Sequence, residues 1–213
     1  MRRGKTAQPK VLNLYLFCEG KTEVNYFKEI IVKLGLSRVI HPVTPVIQSD
    51  PERLLEDALA WIKEQGSLLR PSPRVDARFW LVCDDDGRAE AIARFRAAVK
   101  RRSADIQACR LECAWMAPCF EVWPLLHLLP PSEVPSQQAK AQRKLAELMP
   151  KYKHDRNATV DCSGKIVAVD VIHGAIKAAC DWERTFGEFP DCIGHAQRYA
   201  GVHRLMTQLL AYL

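Results

Sequence analysis

The stretches VLNLYLFCEG at 11–20 and RFWLVCDDDG at 78–87 decide the fold. Each is an apolar, strand-like run that closes in acid and then glycine: Glu19-Gly20 in the first, Asp84-Asp85-Asp86-Gly87 in the second. In an open α/β sheet, ligands bind in the crevice beyond the carboxyl ends of the strands. If the two runs are parallel neighbours, their terminal carboxylates meet in one pocket. Carboxylates gathered in this way repel one another, and a divalent cation or raised pKa values relieve the repulsion. The expectation is a metal site, with Mg²⁺ the ion that suits it.

Working outward, residues 22–34 (TEVNYFKEIIVKL) place Val24, Phe27, Ile30, Ile31 and Leu34 at helical spacing, with Thr22 as N-cap and Gly35 as stop. A second apolar run spans 39–48, and Pro42 and Pro45 assign it to a sheet edge. Ser49 or Asp50 caps a helix over 51–65, which buries Leu54, Leu55, Ala58, Leu59 and Ile62, and 66–76 reads as a surface loop. The acidic turn leads into a helix over 89–102. Residues 106–116 (IQACRLECAWM) read as a fourth strand and enter a short helix over 121–129. This alternation predicts an α/β fold: a mainly parallel sheet of about four strands with helices on both faces. Past the Pro- and Ser-containing stretch 130–137 the pattern turns helical, over 139–149, 164–185 and 196–212. The reading is a core over 1–129 and a helical extension over 130–213.

The chain has 213 residues, enough for one good core, and 48% hydrophobic with 26% charged residues describe an ordinary globular protein. No apolar run approaches the ~20 residues that span a bilayer, and MRRGKTAQPK has no apolar signal core. A cytoplasmic protein without a membrane partner is expected. Its eight cysteines follow no finger or CxxC spacing; Cys109, Cys113 and Cys119 lack a convincing fourth zinc ligand, and a reducing cytoplasm disfavours disulfides. The net charge of +6 is uneven, with clusters at Arg94, Arg96, Lys100, Arg101 and Arg102 and at Lys140, Arg143, Lys144, Lys151, Lys153 and Arg156. Basic groups around an acidic pocket suit a polyanion, so Lys144 and Lys151 are candidates for phosphate contact. The cluster from Arg94 to Arg102 reads equally as the exposed face of a helix.

Three segments carry a resemblance: CEGKTEVNYFKEI at 18–30, WLVCDDDG at 80–87 and APCFEVWPLLH at 117–127, supported by KYKHDR at 151–156 and GVHRLMTQLL at 201–210. In these the chain resembles the RloB-like proteins, whose core is similar to the Toprim fold of topoisomerases, primases and OLD-type nucleases. The resemblance implies that Glu19 takes the glutamate position after the first strand, and that Asp84 and Asp86 form the DxD pair. Together they would organise Mg²⁺, with Mn²⁺ as substitute. Glu23 corresponds to the second glutamate of the EGxxE motif of OLD-type nucleases, and Lys153 to a lysine that follows a tyrosine in the family.

The residues themselves add to this. Asp85 points away from its neighbours if the backbone stays extended, which makes it the weaker ligand. Glu23 falls in the first helical turn, where it complements the helix dipole or reaches the metal. Glu121 lies in the apolar stretch FEVWP, and buried carboxylates are rare unless paired or metal-bound. It is read as holding the metal or bonding to a residue that does, against a capping role. Lys21 faces the mouth as a phosphate contact or is simply exposed. Lys153 could neutralise charge on a scissile phosphate. His127 is read as a packed helix residue.

The function implied is a Mg²⁺-dependent nuclease, whose metal polarises the phosphate, activates water and stabilises the leaving oxygen. Family resemblance adds a setting in prokaryotic anti-phage defence and abortive infection, with an ABC- or AAA-type ATPase partner. It also places RNA, transfer RNA included, beside DNA as substrate. Tyr15 and Tyr26 fall in packed elements and Tyr152, Tyr199 and Tyr212 in the tail, which argues against a covalent tyrosine mechanism. Two alternatives stay open: an inactive nucleic-acid-binding or regulatory subunit of an ATPase complex, and a metal-dependent phosphatase or nucleotide hydrolase. A homodimer is also left open.

Overall fold

The computed structural model describes residues 11–37, 39–43, 50–65, 75–86, 88–152, 168–186 and 199–211. Strand β1 (Val11–Cys18) runs into helix α1 (Lys21–Lys33), edge strand β2 (Ile40–Val43) and helix α2 (Pro51–Gln65). Then follow β3 (Val75–Asp84), α3 (Ala89–Arg101), α4 (Ser103–Cys109), β4 (Leu111–Ala117) and the short α5 (Val122–Leu126). A 3₁₀ turn (Pro131–Glu133) leads to α6 (Gln138–Leu148), α7 (Val169–Phe186), β5 (Tyr199–Ala200) and α8 (Val202–Leu210).

The sheet has the order β2-β1-β3-β4-β5. The first four strands are parallel, and β5 pairs antiparallel with β4 through Met116–Ala200 and Ala117–Tyr199. From β1 the chain steps outward to β2, then crosses back to β3 on the other side of β1. The direction of winding therefore reverses between β1 and β3, and such a reversal opens a crevice at the carboxyl edge.

Residue parity explains why the strands are apolar throughout. Leu14, Leu16, Cys18, Trp80, Val82, Ala114 and Met116 face one core, shared with α1 and α5–α8. Phe17, Phe79, Leu81, Cys83, Leu111, Trp115 and Ala117 face the other, shared with α2 and α3. A parallel strand buried on both faces has no polar side to alternate with. Asp84 continues the parity of Trp80 and Val82, so it heads toward the side of α1 and α5.

Three local expectations need correction. Helix α1 begins at Lys21 with Gly20 at the cap position, and Thr22 is buried inside the first turn rather than capping it. Residues 106–116 are not one strand: α4 runs to Cys109, Arg110 turns left-handed at φ 55°, and β4 starts at Leu111. The apolar residues of IQAC show no helical period because α4 is only seven residues long, under two turns. Over 196–212, Gly201 divides a strand from a helix, its N–H bonding to Trp115 O at 2.8 Å. The sheet therefore gains a fifth strand from the C-terminal region. Asp50 does cap α2, accepting the Arg53 N–H at 3.0 Å.

The C-terminal helices are integral to the first core. Val202, Leu205 and Leu209 of α8 are fully buried there. The buried His203 ring spans Ala200 O and Glu183 Oε2, each at 2.9 Å, and so fastens α8 to α7. On the site side, Trp123 Nε1 donates to Tyr26 Oη at 2.7 Å, locking α5 to α1, and both side chains are fully buried. Trp123→Phe removes this buried hydrogen bond, so a loss of about 0.5–1.5 kcal/mol is expected in denaturant titration.

Candidate functional site

The crevice at the reversal between β1 and β3 collects carboxyl groups from four places in the chain. Glu19 follows β1, and its N–H bonds to Val82 O at 3.0 Å, extending the pairing of the strands by one residue. Its Oε2 accepts the backbone N–H of Asp84 at 3.1 Å, so the two acids are in direct contact. Asp84 ends β3 and is buried; its Oδ2 accepts the N–H of Phe120 at 3.0 Å.

Beyond Asp84 the chain turns against the end of β4, with Asp85 N bonded to Met116 O at 2.9 Å and Asp86 N to Pro118 O at 3.0 Å. Asp86 adopts φ 48°, a left-handed conformation that aspartate tolerates better than most residues. Glu23 enters from the first turn of α1 and is only 4% exposed. Glu121 sits at the start of α5, 2% exposed, and accepts the Tyr152 hydroxyl.

Electrostatics ties the five together. Burial pushes the Asp84 pKa well above the usual carboxylate range, and Glu23, Glu19, Asp86 and Glu121 push it further. Burial also lifts Glu23 to about 8; its own backbone N–H offsets part of the shift, while Glu121, Glu19 and Asp86 add to it. Glu19 is raised by burial despite its bond to Arg88. Burial, reinforced by Glu121, keeps the Tyr152 phenol protonated, so it remains a donor.

Among the described residues, Glu23 Oε2 and Asp84 Oδ1, both buried in this crevice, have no hydrogen-bond partner. A buried carboxylate oxygen left unbonded is costly and calls for a cation or a proton. Gly20 bears on the same point. Its backbone is extended (φ −130°), open to any residue, yet a Cβ there would stand 2.8 Å from Glu23 Oε2. A side chain at this position would have to displace the Glu23 carboxylate.

An all-oxygen, all-carboxylate set is the donor chemistry that Mg²⁺ and Mn²⁺ prefer. Among the described residues, however, no three His, Cys, Asp or Glu side chains already stand around a common metal position. The Arg88 guanidinium lies between two of the acids, 2.5 Å from Glu19 Oε1 and 3.1 Å from Asp86 Oδ2.

Glu19, Glu23, Asp84, Asp86 and Glu121 thus all reach the crevice. The basic candidates are more scattered. Lys21 is exposed at the start of α1, Lys144 pairs with Glu147 at 3.4 Å on α6, and Lys151 is exposed after α6; Lys153 lies outside the described residues. His127 packs edge-on against Trp123. The cluster from Arg94 to Arg102 answers acids of α2 and its cap: Arg94 meets Asp50 and Glu52, Arg101 meets Glu52 and Glu56, and Arg102 meets Glu56. These three arginines form a helix–helix seam, while Lys100 is exposed.

Three site residues escape sequence reasoning: Arg88, Tyr152 and Gln138, whose Nε2 donates to Asp86 Oδ1 at 2.7 Å. Only Arg88 carried a signal, since an arginine opening a helix opposes the dipole and invites the question of what holds it. The six described cysteines are free thiols.

Glu23 predicts a pH dependence. In the folded chain it keeps its proton up to a pKa of about 8, against an ordinary 4.5. Between those values the native state binds more protons than the unfolded state, so metal-free stability falls as pH rises through that window. Glu23→Gln is expected to flatten part of the slope, with Asp84 supplying the rest. The melting temperature at about pH 5.5 and pH 8 checks this; an unchanged slope in the variant would show that Glu23 is not a buried acid.

No curated protein and no solved structure matches the chain. The family model described as RloB-like protein matches residues 14–209, from within β1 to within α8. The chain belongs to the RloB-like family.

Proposed function

We propose that the chain is a metal-dependent nuclease that hydrolyses phosphodiester bonds of DNA or RNA, with transfer RNA among the RNA candidates. The observation that carries this reading is the convergence of five carboxyl groups in which Glu23 Oε2 and Asp84 Oδ1 are buried without partners. Glu19, Glu23, Asp84, Asp86 and Glu121 would hold Mg²⁺ or Mn²⁺. Once bound, the ion would supply Lewis-acid polarisation of a phosphoryl oxygen and a more acidic water.

The chain's own residues do the positioning. Phe120 N–H orients Asp84, Gln138 orients Asp86, and Tyr152 orients Glu121. Asp84 keeps its other oxygen, Oδ1, unbonded among the described residues, while the second oxygen of Asp86 is held by Arg88. Lys21, Lys144 and Lys151 are the described lysines proposed to contact substrate phosphates, with Lys153 beside them in sequence. Membership of the RloB-like family supports a role as effector in prokaryotic anti-phage defence, working with an ABC- or AAA-type ATPase in the cytoplasm. No described helix is long and apolar enough to cross a membrane.

Incubation with plasmid, single-stranded DNA, total RNA and nucleoside triphosphates, each with Mg²⁺ or Mn²⁺, tests the proposal. Cleavage of a polynucleotide that EDTA abolishes is expected. Asp84→Asn should cut the rate on the order of a hundredfold or more. The metal-free variant should melt no lower than the native chain, because a repelled buried charge has been removed. Hydrolysis of triphosphates alone would instead mark a nucleotide hydrolase, and no turnover on any substrate would favour a binding or regulatory subunit.

A further inference from the structure

The oxygens of the crevice divide into two sets. Asp84 Oδ1 and Glu23 Oε2 are buried and unbonded, whereas Glu19 Oε1 and Asp86 Oδ2 are both taken by one Arg88 guanidinium. The second oxygen of each arginine-bound acid is fixed elsewhere: Glu19 Oε2 on Asp84 N, Asp86 Oδ1 on Gln138 Nε2. Removing the arginine would therefore take one cationic partner from each carboxylate and keep the bond that orients it.

Arg88 itself is poorly accommodated. It occupies the N-cap position of α3, where Ser, Thr, Asp and Asn are preferred and a positive charge opposes the helix dipole. Its Nε is buried without a partner among the described residues. Its side chain is 39% exposed, so it has a way out toward solvent. A cation held by two acids, disfavoured by its own helix and open to water on one side is built to be replaced.

We propose that Arg88 is a displaceable counter-ion, which neutralises Glu19 and Asp86 in the metal-free chain and must yield its place before a divalent cation can use both. This rests on the metal reading above and deepens it. The arginine keeps the unloaded crevice from flying apart, and it competes with the ion for two of the carboxylates. Mg²⁺ takes six oxygen ligands and keeps several waters, so access to Glu19 Oε1 and Asp86 Oδ2 decides how firmly the protein holds it. Gln138 has the opposite role, keeping Asp86 aimed at the crevice whether or not the arginine is there.

Titration calorimetry with Mn²⁺ alone, on the native chain, Arg88→Gln and Gln138→Ala, tests this. Arg88→Gln is expected to bind Mn²⁺ about tenfold more tightly, since a competing unit charge a few ångströms away is removed. The same variant should melt lower than the native chain without metal and gain more from added Mn²⁺. Gln138→Ala should bind more weakly. Equal or weaker Mn²⁺ binding by Arg88→Gln, with the native chain binding normally, overturns the counter-ion role and leaves the metal site standing. Absence of Mn²⁺ binding in the native chain and in Arg88→Gln alike overturns both.

Discussion

Five carboxyl groups share a crevice that is largely closed to water, and mutual repulsion between them is the constraint on which the rest of this structure depends. The sheet makes the repulsion unavoidable. Because β1 and β3 are in-register neighbours, with Cys18 opposite Val82, the residues that follow them emerge side by side. The winding reversal between these strands leaves no helix to separate them. The fold therefore collects negative charge at the same place where it opens a binding crevice.

Partial relief comes from inside the chain. Arg88 spans Glu19 and Asp86, the Phe120 N–H faces Asp84, and burial among the other acids lets Glu23 keep its proton up to a pKa of about 8. The remainder of the molecule serves the same crevice. Helix α6 contributes Gln138, the chain just past it contributes Tyr152, and β5 closes against the end of β4, beside the turn that carries Asp85 and Asp86. The C-terminal region is thus tied to the acids by hydrogen bonds and to the first core by α8.

Much of this was legible in the sequence, for identifiable reasons. The apolar runs ending in Glu19 and Asp84 announce buried parallel strands, and Glu121 stands out as an acid in FEVWP; both signals are local and strong. Pro42 marks the sheet edge because proline cannot donate to a ladder. What was not legible depends on encounters between distant segments. Tyr152 and Gln138 look like tail residues until folding brings them to Glu121 and Asp86, 31 and 52 positions away. The division of 106–116 into α4 and β4 turns on Arg110 adopting a left-handed conformation, which no side-chain pattern encodes. The Arg94–Arg102 cluster reads equally as a polyanion surface and as a solvated helix face until α2 and its cap supply Asp50, Glu52 and Glu56.

The central claim is that this crevice is a cation site completed by its own acids. Anomalous diffraction from crystals grown with Mn²⁺ tests it most directly. The account predicts a manganese peak within about 2–2.5 Å of Asp84 and of at least one of Glu19, Glu23, Asp86 or Glu121, a hard cation's usual reach to oxygen. A crevice that stays free of manganese in such crystals, with Arg88 still bridging Glu19 and Asp86, would contradict it.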